Sequence, residues 1–425
     1  MLKSLKLSRW LMAAVAGLSV LVGVVACGGD SEYPDTGAMR VKHVFVITLE
    51  NKNYSDTFGT STQDPYLQKT LPAMGALLTQ YYGTGHASLD NYIAMISGQP
   101  VTPETVGDCT IYKDFVQTGT STDGLKLPVG TGCVYPATVK TLPDQLKAKG
   151  LTWRGYMEDM GNDPARESAT CGHPALGAAD NTNAQEAPST AIPLGDQYAS
   201  RHNPFVYFHS ITDSADCQTN VVALSKLDAD LASISTTPNF VFITPNVCND
   251  GHDGDGTGTA GEGCVNGQPG GLTSIDAFLK VIVPKIMASA AFKQDGLLII
   301  NFDENAAGST TVSTDGNGKT HYTVNFGNES CCSEQSGPNV TYPLTTVFPV
   351  SASLEYDLTF PAPGGGRTGA VMISPFIKAG TSIDTPYNHF ALLKSLEQIF
   401  KTDGYLGFAA QTGLASFATA DVFAN

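Results

Sequence analysis

His43-Val44-Phe45-Val46-Ile47-Thr48-Leu49-Glu50-Asn51 is an apolar run that ends on an acid and an amide. Its first seven residues are rich in β-branched and aromatic side chains, which is typical of a buried strand. An unpaired carboxylate is costly to bury. We therefore expect Glu50 to lie where the strand emerges from the core, facing a partner such as a metal ion.

Later apolar runs also end on polar residues. These ends are His209, the segment 246–253 (Asn-Val-Cys-Asn-Asp-Gly-His-Asp), and the pair Asp303-Glu304. Helical patterns lie between the runs, so the sequence predicts an α/β fold with a mostly parallel central sheet and helices on both faces. Ligands bind at the carboxyl ends of such strands. We therefore expect these polar residues to share one edge of the sheet.

The composition favours a large folded domain. Of 425 residues, 42% are hydrophobic and 15% are charged, so a substantial core is available. The net charge is -16 and no basic stripe is present, which argues against nucleic-acid binding. An acidic protein that binds phosphate esters needs a local cation or a helix N-terminus to do so.

The N-terminus has the pattern of a targeting segment. A positively charged start precedes the apolar stretch 11–26, and Cys27 follows, which is typical of a bacterial lipoprotein signal over residues 1–27. The alternative is an ordinary secretory signal with an incidental cysteine. We expect a tether over 28–40, a single domain over 41–425, and a protein exported to the cell envelope. It would be lipid-anchored at Cys27, with the outer membrane as the expected site, or secreted.

Export also accounts for the other eight cysteines, because an even number in an exported chain favours disulfides. Short-range pairs such as Cys109–Cys133 and Cys248–Cys264 are the simplest choices. We expect the adjacent Cys331 and Cys332 to pair with different partners.

Ser88 lies where a glycine-bearing loop, 83–87, gives way to a short helical pattern ending at Gly98. A serine at this position is commonly an N-cap. It can also be a nucleophile or a phosphate ligand, since free N–H groups and the helix dipole favour anions there. The acidic strand ends favour the second interpretation.

Carboxylates, an amide oxygen and a hydroxyl, if they converge, form an oxygen-rich site for one divalent metal ion. Oxygen ligands suit Ca²⁺, Mg²⁺ or Mn²⁺, and nearby histidines would favour Zn²⁺ or Mn²⁺. A metal ion beside a hydroxyl creates a nucleophile and offsets charge on a phosphoryl group. Histidines could then bind the phosphate or protonate the leaving group.

Several blocks in order along about 41–400 resemble the phosphoesterase family, which holds bacterial and fungal acid phosphatases and phospholipases C and is similar in fold to the alkaline phosphatase superfamily. The blocks are 44–59 with Glu50-Asn51, Gly85-His86-Ala87-Ser88-Leu89-Asp90-Asn91-Tyr92, His202-Asn203-Pro204-Phe205, Thr244-Pro245-Asn246-Val247-Cys248-Asn249-Asp250-Gly251-His252-Asp253, Asp303-Glu304, and 375–400 with Asn388-His389.

The resemblance implies particular roles. Ser88 would be the nucleophile that forms a phosphoseryl intermediate, and Asn91 would contact the substrate. The metal ligands would be Glu50, Asn51, Ser88, Asp303 and Glu304, and the candidates for phosphate contact or leaving-group protonation are His86, His209, His252 and His389. The paired acids of the family are often two aspartates. Glu304 therefore either coordinates the metal ion through its longer side chain or contacts the metal ligands without touching the ion.

The resemblance favours an acid phosphatase that hydrolyses small phosphomonoesters. A phospholipase C or another phosphodiesterase is the alternative within the enzymes, although the segment 306–366, read as a loop-rich insertion or lid, is too polar to suggest a lipid-binding lid. A non-catalytic surface binding protein on the same fold is a further alternative. No protein partner is identifiable from the sequence.

Overall fold

The strand predicted at the start of the domain is present, and all of its side chains are buried. The computed structural model describes residues 37–424, apart from the side chain of Pro349, so the predicted signal, Cys27 and most of the tether lie outside the described residues.

The strands are His43–Leu49 (β1), Ala76–Leu78 (β2), Tyr81–Tyr82 (β3), Val116–Thr120 (β4), Pro128–Thr131 (β5), Trp153–Met157 (β6), Val221–Ala223 (β7), Phe240–Thr244 (β8), Gly296–Phe302 (β9), Ser309–Thr314 (β10), Thr320–Asn325 (β11), Leu344–Ser351 (β12), Leu354–Phe360 (β13), Ala370–Ile373 (β14), Thr381–Ile383 (β15) and Tyr387–Asn388 (β16).

The α-helices are Tyr54–Phe58 (α1), Leu71–Met74 (α2), Ser88–Ser97 (α3), Leu142–Ala148 (α4), His209–Thr212 (α5), Ala215–Asn220 (α6), Leu227–Asp230 (α7), Gly271–Ala288 (α8), Ala290–Asp295 (α9) and His389–Phe400 (α10). Short 3-10 turns and one π-helical turn, Tyr66–Thr70, complete the regular structure. Among the described residues, no helix has both the length and the apolar content needed to cross a membrane.

The main sheet confirms the predicted architecture. Its strand order is β15-β2-β14-β9-β1-β8-β6-β7 within the described residues. The run β9-β1-β8-β6-β7 is parallel throughout, and β14 runs antiparallel to both of its neighbours. The sheet is therefore mostly parallel, with β1 at its centre.

Helices cover both faces of the sheet because alternate side chains of β1 point to opposite sides. Val44 and Val46 pack in a cluster with residues of α3 and α10. Phe45 and Ile47 pack in a second cluster with residues of α8. A strand buried on both faces reads as a continuous apolar run, which is why residues 43–49 showed no alternation.

Three predicted elements differ from the structure. The apolar run 203–209, expected to be a strand, forms 3-10 turns and then enters α5 at His209. Helical spacing over 220–235 and over 67–82 predicts a helix in each segment, but the first begins as β7 and the second breaks at Gly75 into β2 and β3. In these segments tertiary packing decides the local structure, and periodicity does not distinguish strand, helix and loop.

The insertion at 306–366 is more regular than its polar composition suggested. It contains a four-stranded sheet in the order β10-β11-β13-β12 among the described residues. A small apolar cluster joins this sheet to the domain, with Phe360 of β13 packing near Val101 and Val106. The insertion therefore packs on the loop that follows α3.

The disulfides bear out two of the sequence predictions and overturn another. Cys109–Cys133 and Cys248–Cys264 are bonded as expected, and Cys171 pairs with Cys217. Cys331 and Cys332 bond to each other, so the expectation of different partners was wrong. Each other cysteine of the domain already has a nearer partner in the fold, which leaves the adjacent pair to itself.

Glu397 of α10 offers a test of stability against pH. Its side chain is buried, and Oε1 accepts a hydrogen bond from the Leu406 N–H at 2.8 Å. Burial raises the pKa of Glu397 from 4.5 to about 8. A carboxyl group with a raised pKa in the folded state supports folding below its unfolded pKa and loses that contribution as pH rises through the folded pKa.

Glu397→Gln should therefore raise the melting temperature by a few degrees at about pH 8.5 and leave it nearly unchanged at about pH 4. Glutamine keeps the acceptor for Leu406 and removes the titrating group. Thermal denaturation of both proteins across this pH range measures the difference. An equal effect at both pH values would contradict the assignment.

Candidate active site

Two adjacent strands bring the predicted acids to one edge of the sheet. β1 pairs with β9 in parallel, with Leu49 opposite Phe302, so Glu50 and Asp303 leave the sheet side by side. β8 lies on the other side of β1, and the loop after it also folds against Glu50, whose N–H donates to the Asp250 carbonyl at 2.9 Å. The expectation of a shared edge for these three strand ends is confirmed.

Ser88 is the first residue of α3, and Ala87 occupies the N-cap position. The hydroxyl of Ser88 donates to Glu50 Oε2 at 3.0 Å, and both side chains are buried. The structure therefore places Ser88 at the helix N-terminus beside a carboxylate instead of using it as a capping serine.

Asn51, Asp303 and Glu304 form the second half of the cluster. The backbone of Asn51 is left-handed, with φ of 47°, and its N–H donates to Asp303 Oδ1 at 3.0 Å. Its amide group donates to Glu304 Oε1 at 2.9 Å, and Glu304 Oε2 lies 3.2 Å from His86 Nδ1. Both carboxylate oxygens of Glu304 thus have protein partners, which favours its supporting role over direct coordination.

This donor set fits a divalent cation. Asn51 Oδ1 and Asp303 Oδ2 are buried, and neither has a hydrogen-bond partner among residues 37–424. Burial raises the pKa of Glu50, and the neighbouring Asp303 and Asp250 raise it further. Burial also raises the pKa of Asp303. Clustered buried carboxyl groups with unpartnered oxygens need a cation to remain ionised.

The sequence analysis missed three residues that contact this cluster. His202 lies with Nε2 at 3.4 Å from Glu50 Oε1 and Nδ1 at 3.2 Å from Asp250 Oδ2. The Tyr92 hydroxyl donates to Glu50 Oε1 at 2.7 Å. The signal was present for all three, because each lies in a block that carries the family resemblance, but no role had been assigned to any of them.

Two of the predicted histidines lie beside the cluster. His252 is on the loop after β8, is exposed, and its ring is 6.1 Å from that of His202. His86 is buried against Phe326 of the insertion, with ring centroids 4.8 Å apart, and its Nε2 has no hydrogen-bond partner in the described part of the chain. Burial lowers the pKa of His86 to about 4, so the ring is neutral near pH 7.

Three other predicted site residues, His209, His389 and Asn91, lie in surroundings that differ from the expectation. His209 lies on α5, with its ring nitrogens 2.8 Å from Asp114 and 3.0 Å from Asp213, in an ion-pair group separate from the contacts of Glu50. Its expected position at a strand end is corrected, because no strand forms there.

His389 and Asn91 form hydrogen bonds to the backbone of the site. His389 is fully buried, with Nε2 at 2.5 Å from the Asp303 carbonyl oxygen and Nδ1 at 3.0 Å from the Tyr81 hydroxyl. The amide of Asn91 bonds to the backbone of the loop before Ser88, accepting from Gly85 at 3.1 Å and donating to Ala87 at 3.0 Å. In this geometry, neither side chain is available to a substrate, contrary to the expectation from the sequence.

A further group of potential ligands lies on the insertion sheet. His321 Nδ1 is 2.8 Å from Glu355 Oε1 and 3.0 Å from Asp357 Oδ2. Lys319 also pairs with Glu355. Lys319 and the His321 ring are the partners of the two carboxylates, so this group is explained by contacts within the insertion sheet.

An edge of a parallel sheet that gathers a buried hydroxyl, an amide and several carboxyl groups is a candidate metal centre. The model of the Phosphoesterase family matches residues 61–403, and the chain belongs to that family. The match begins after β1, so Glu50 and Asn51 precede it.

Curated relatives carry related names. The chain is 29% identical over 258 residues to the phosphate-repressible acid phosphatase of Penicillium chrysogenum, covering 61% of this chain and 47% of the relative. It is 24% identical over 271 residues to a probable acid phosphatase of Kluyveromyces lactis, with 64% and 49% covered. The phosphatidylinositol-3-phosphatase of Mycobacterium tuberculosis is 24% identical over 246 residues, with 57% and 63% covered. The aligned part spans about half the length of the fungal relatives.

Two of the similar solved structures align at low sequence identity. A protein in the alkaline phosphatase superfamily from Vibrio parahaemolyticus aligns with a TM-score of 0.46 and 13% identity, covering 88% of this chain and 68% of that one. Human ectonucleotide pyrophosphatase/phosphodiesterase 5 aligns with a TM-score of 0.44 and 11% identity, covering 90% of this chain and all of that one (100%).

Proposed function

We propose that this protein is an exported, metal-dependent phosphomonoesterase of the acid phosphatase type that uses Ser88 as its nucleophile. The observation that carries the proposal is the contact of the Ser88 hydroxyl with Glu50 at 3.0 Å, beside the unpartnered oxygens of Asn51 and Asp303. A nucleophile at a helix N-terminus next to a cation site meets the two needs of phosphoryl transfer, which are positioning and charge compensation.

The ion would be held by Glu50, Asn51 and Asp303 together with Ser88, and when bound it would favour the ionised hydroxyl and offset phosphoryl charge. Ser88 Oγ, after losing its proton to solvent, then attacks phosphorus and the bond to the leaving-group oxygen breaks. A histidine supplies the proton that this oxygen takes up. Water finally cleaves the Ser88 Oγ–phosphorus bond, which releases inorganic phosphate and restores the hydroxyl.

The histidines differ in what they can contribute. His252 is exposed beside the cluster, so it can reach a leaving group that projects to solvent. His86 Nε2 and His202 Nε2 are buried and have no hydrogen-bond partner among the described residues, so these two atoms can bind phosphoryl oxygens. Glu304 supports the site by holding the Asn51 amide and the His86 ring.

Monoesters are the favoured substrates because three of the relatives that this chain resembles are named acid phosphatases. The purified domain should hydrolyse p-nitrophenyl phosphate much faster than bis(p-nitrophenyl) phosphate or phosphatidylcholine. Side-by-side initial rates, with and without a chelator, measure this preference. Faster hydrolysis of phosphatidylcholine would assign the protein to the phospholipase C branch instead.

Export and anchoring belong to the same proposal. Disulfides link all eight cysteines of the described domain, which suits an oxidising compartment. Lipidation of Cys27 would attach the domain to the membrane of the cell envelope. Detergent-phase partitioning of the protein expressed in bacteria, compared with Cys27→Ser, tests this. Equal partitioning of both proteins into the aqueous phase would favour the secreted form.

A further inference from the structure

We propose that Asp250 is a positioning residue for His202, holding one edge of the imidazole so that the other edge faces Glu50 and the reaction site. The inference rests on the proposed function, because it assigns His202 to the same site. It also separates Asp250 from the metal ligands, although Glu50, His202 and Asp250 lie close enough together to resemble a three-residue metal site.

Asp250 is well placed to act as a fixed support. Its carbonyl oxygen accepts from the Glu50 N–H at 2.9 Å, and its Oδ1 accepts from the His252 N–H at 2.8 Å. These two bonds fix both the backbone and the carboxylate plane. The remaining oxygen, Oδ2, is buried at 3.2 Å from His202 Nδ1, within ion-pair distance, and neither atom forms a hydrogen bond within the described residues.

His202 is restrained on its other sides. The Tyr92 ring stacks on the imidazole, with centroids 5.3 Å apart and an angle of 6° between the planes. The Thr244 hydroxyl donates to the His202 carbonyl oxygen at 3.1 Å. Since the ring is buried, is stacked on Tyr92 and has its backbone carbonyl bonded to Thr244, it has little freedom to turn, and Nε2 stays on the side of Glu50.

The arrangement of the two ring nitrogens argues against a shared ion. Nδ1 faces Asp250 at 3.2 Å, and Nε2 faces Glu50 at 3.4 Å. A metal ion binds only one nitrogen of an imidazole, so one of the two carboxylates must be a partner of the ring itself. Both carboxylate oxygens of Glu50 already accept hydrogen bonds, Oε2 from Ser88 and Oε1 from Tyr92, which leaves Asp250 as the support. An Asp250 carboxylate places the ring proton on Nδ1 and leaves the Nε2 lone pair for the site.

A double-mutant cycle tests the proposal on the full-length protein. Asp250→Ala and His202→Gln should each lower kcat/KM for p-nitrophenyl phosphate by at least about tenfold. The double variant should be no worse than His202→Gln alone to within about twofold, because Asp250 acts through the ring. Asp250→Asn keeps an acceptor for Nδ1–H and should recover part of the loss. Additive losses in the double variant would overturn the proposal.

Two readouts do not depend on activity. Bound metal, measured by elemental analysis after loading with Zn²⁺, should be the same in Asp250→Ala as in wild type. Nitrogen NMR of histidine-labelled protein, with His202→Gln to assign the signal, should show the Nδ1–H tautomer in wild type and its loss in Asp250→Ala. Loss of metal in the Asp250 variants would make Asp250 a ligand and end the proposal. An inactive wild type that shows the expected tautomer would contradict only the proposed function.

The chain offers a matched control. His43 Nδ1 lies 2.5 Å from Asp295 Oδ1, in a buried pair at the amino end of β1, away from the site. Asp295→Asn removes a comparable carboxylate from a histidine. It should cost stability and leave kcat and KM within about twofold of wild type. A loss of activity in Asp295→Asn that equals the loss in Asp250→Asn would mean that the effect is structural.

Discussion

Ser88→Ala should reduce hydrolysis of p-nitrophenyl phosphate by at least about a thousandfold. The hydroxyl is the group that the N-terminus of α3 presents to Glu50, at 3.0 Å, and alanine leaves no atom there that can form a covalent intermediate. The substitution removes a single oxygen from a residue at the first position of the helix, so the fold should remain intact. Steady-state rates, together with bound metal and melting temperature, measure the effect.

Ser97, at the last position of the same helix, is the matched control. Its hydroxyl is buried and donates to the Lys140 carbonyl oxygen at 2.7 Å. Ser97→Ala should cost about 1 kcal/mol of stability and leave the rate within a few-fold of wild type. A Ser88→Ala protein that keeps activity within a few-fold of wild type would remove Ser88 from the nucleophile role. Mass spectrometry of wild type quenched during turnover should detect phosphate on Ser88.

The second large effect concerns the metal ligands. Glu50→Gln and Asp303→Asn should each lower both bound metal and activity by orders of magnitude, and chelation of wild type should have the same effect on activity. Each substitution preserves shape and removes one charge from the buried group. Metal analysis and rates before and after readdition of Mg²⁺, Mn²⁺, Ca²⁺ or Zn²⁺ measure it. Retention of full activity after complete metal removal would contradict metal dependence.

The same variants should change stability in opposite directions with and without metal. Burial and neighbouring carboxylates raise the pKa of Glu50 in the folded protein. The Glu50 carboxyl group therefore stabilises the metal-free fold at low pH, and this contribution is lost as pH rises above the unfolded-state pKa near 4.5. Glu50→Gln should therefore raise the melting temperature of the metal-free protein near neutral pH. In the presence of metal, wild type should be the more stable protein, because only it gains the binding free energy.

The sequence was sufficient to predict the centre of the molecule. Residues 43–49 and 296–302 are continuous apolar runs, and continuous apolar runs indicate strands buried on both faces. Once they are parallel neighbours, Glu50 and Asp303 must meet, since parallel strands end at the same edge. The convergence with Ser88 depended on the family resemblance, because a loop of unknown path leads to α3.

The remaining parts depend on tertiary context. The run before His209 is as apolar as a strand, yet Pro204 opens a 3-10 turn and the segment packs as a buried connection. The insertion forms strands from polar residues, whose pairing is set by neighbours and not by periodicity. His202 resembled any other buried histidine. Only the distances to Glu50 and Asp250 reveal its surroundings.

Because β1 lies between β8 and β9, the strand ends that form the site stay together until the sheet unfolds. Glu50 and Asp303 cannot separate unless the β1–β9 ladder opens, and this ladder is the middle of the sheet. Native-state hydrogen exchange should therefore show the slowest amides in 43–49 and 296–302, with exchange only through global unfolding. The glycine-rich segment 254–270, next to His252, should exchange through local fluctuations. The half of the site proposed to bind metal is thus expected to be rigid, while the half proposed to meet the leaving group should adapt to different alcohols.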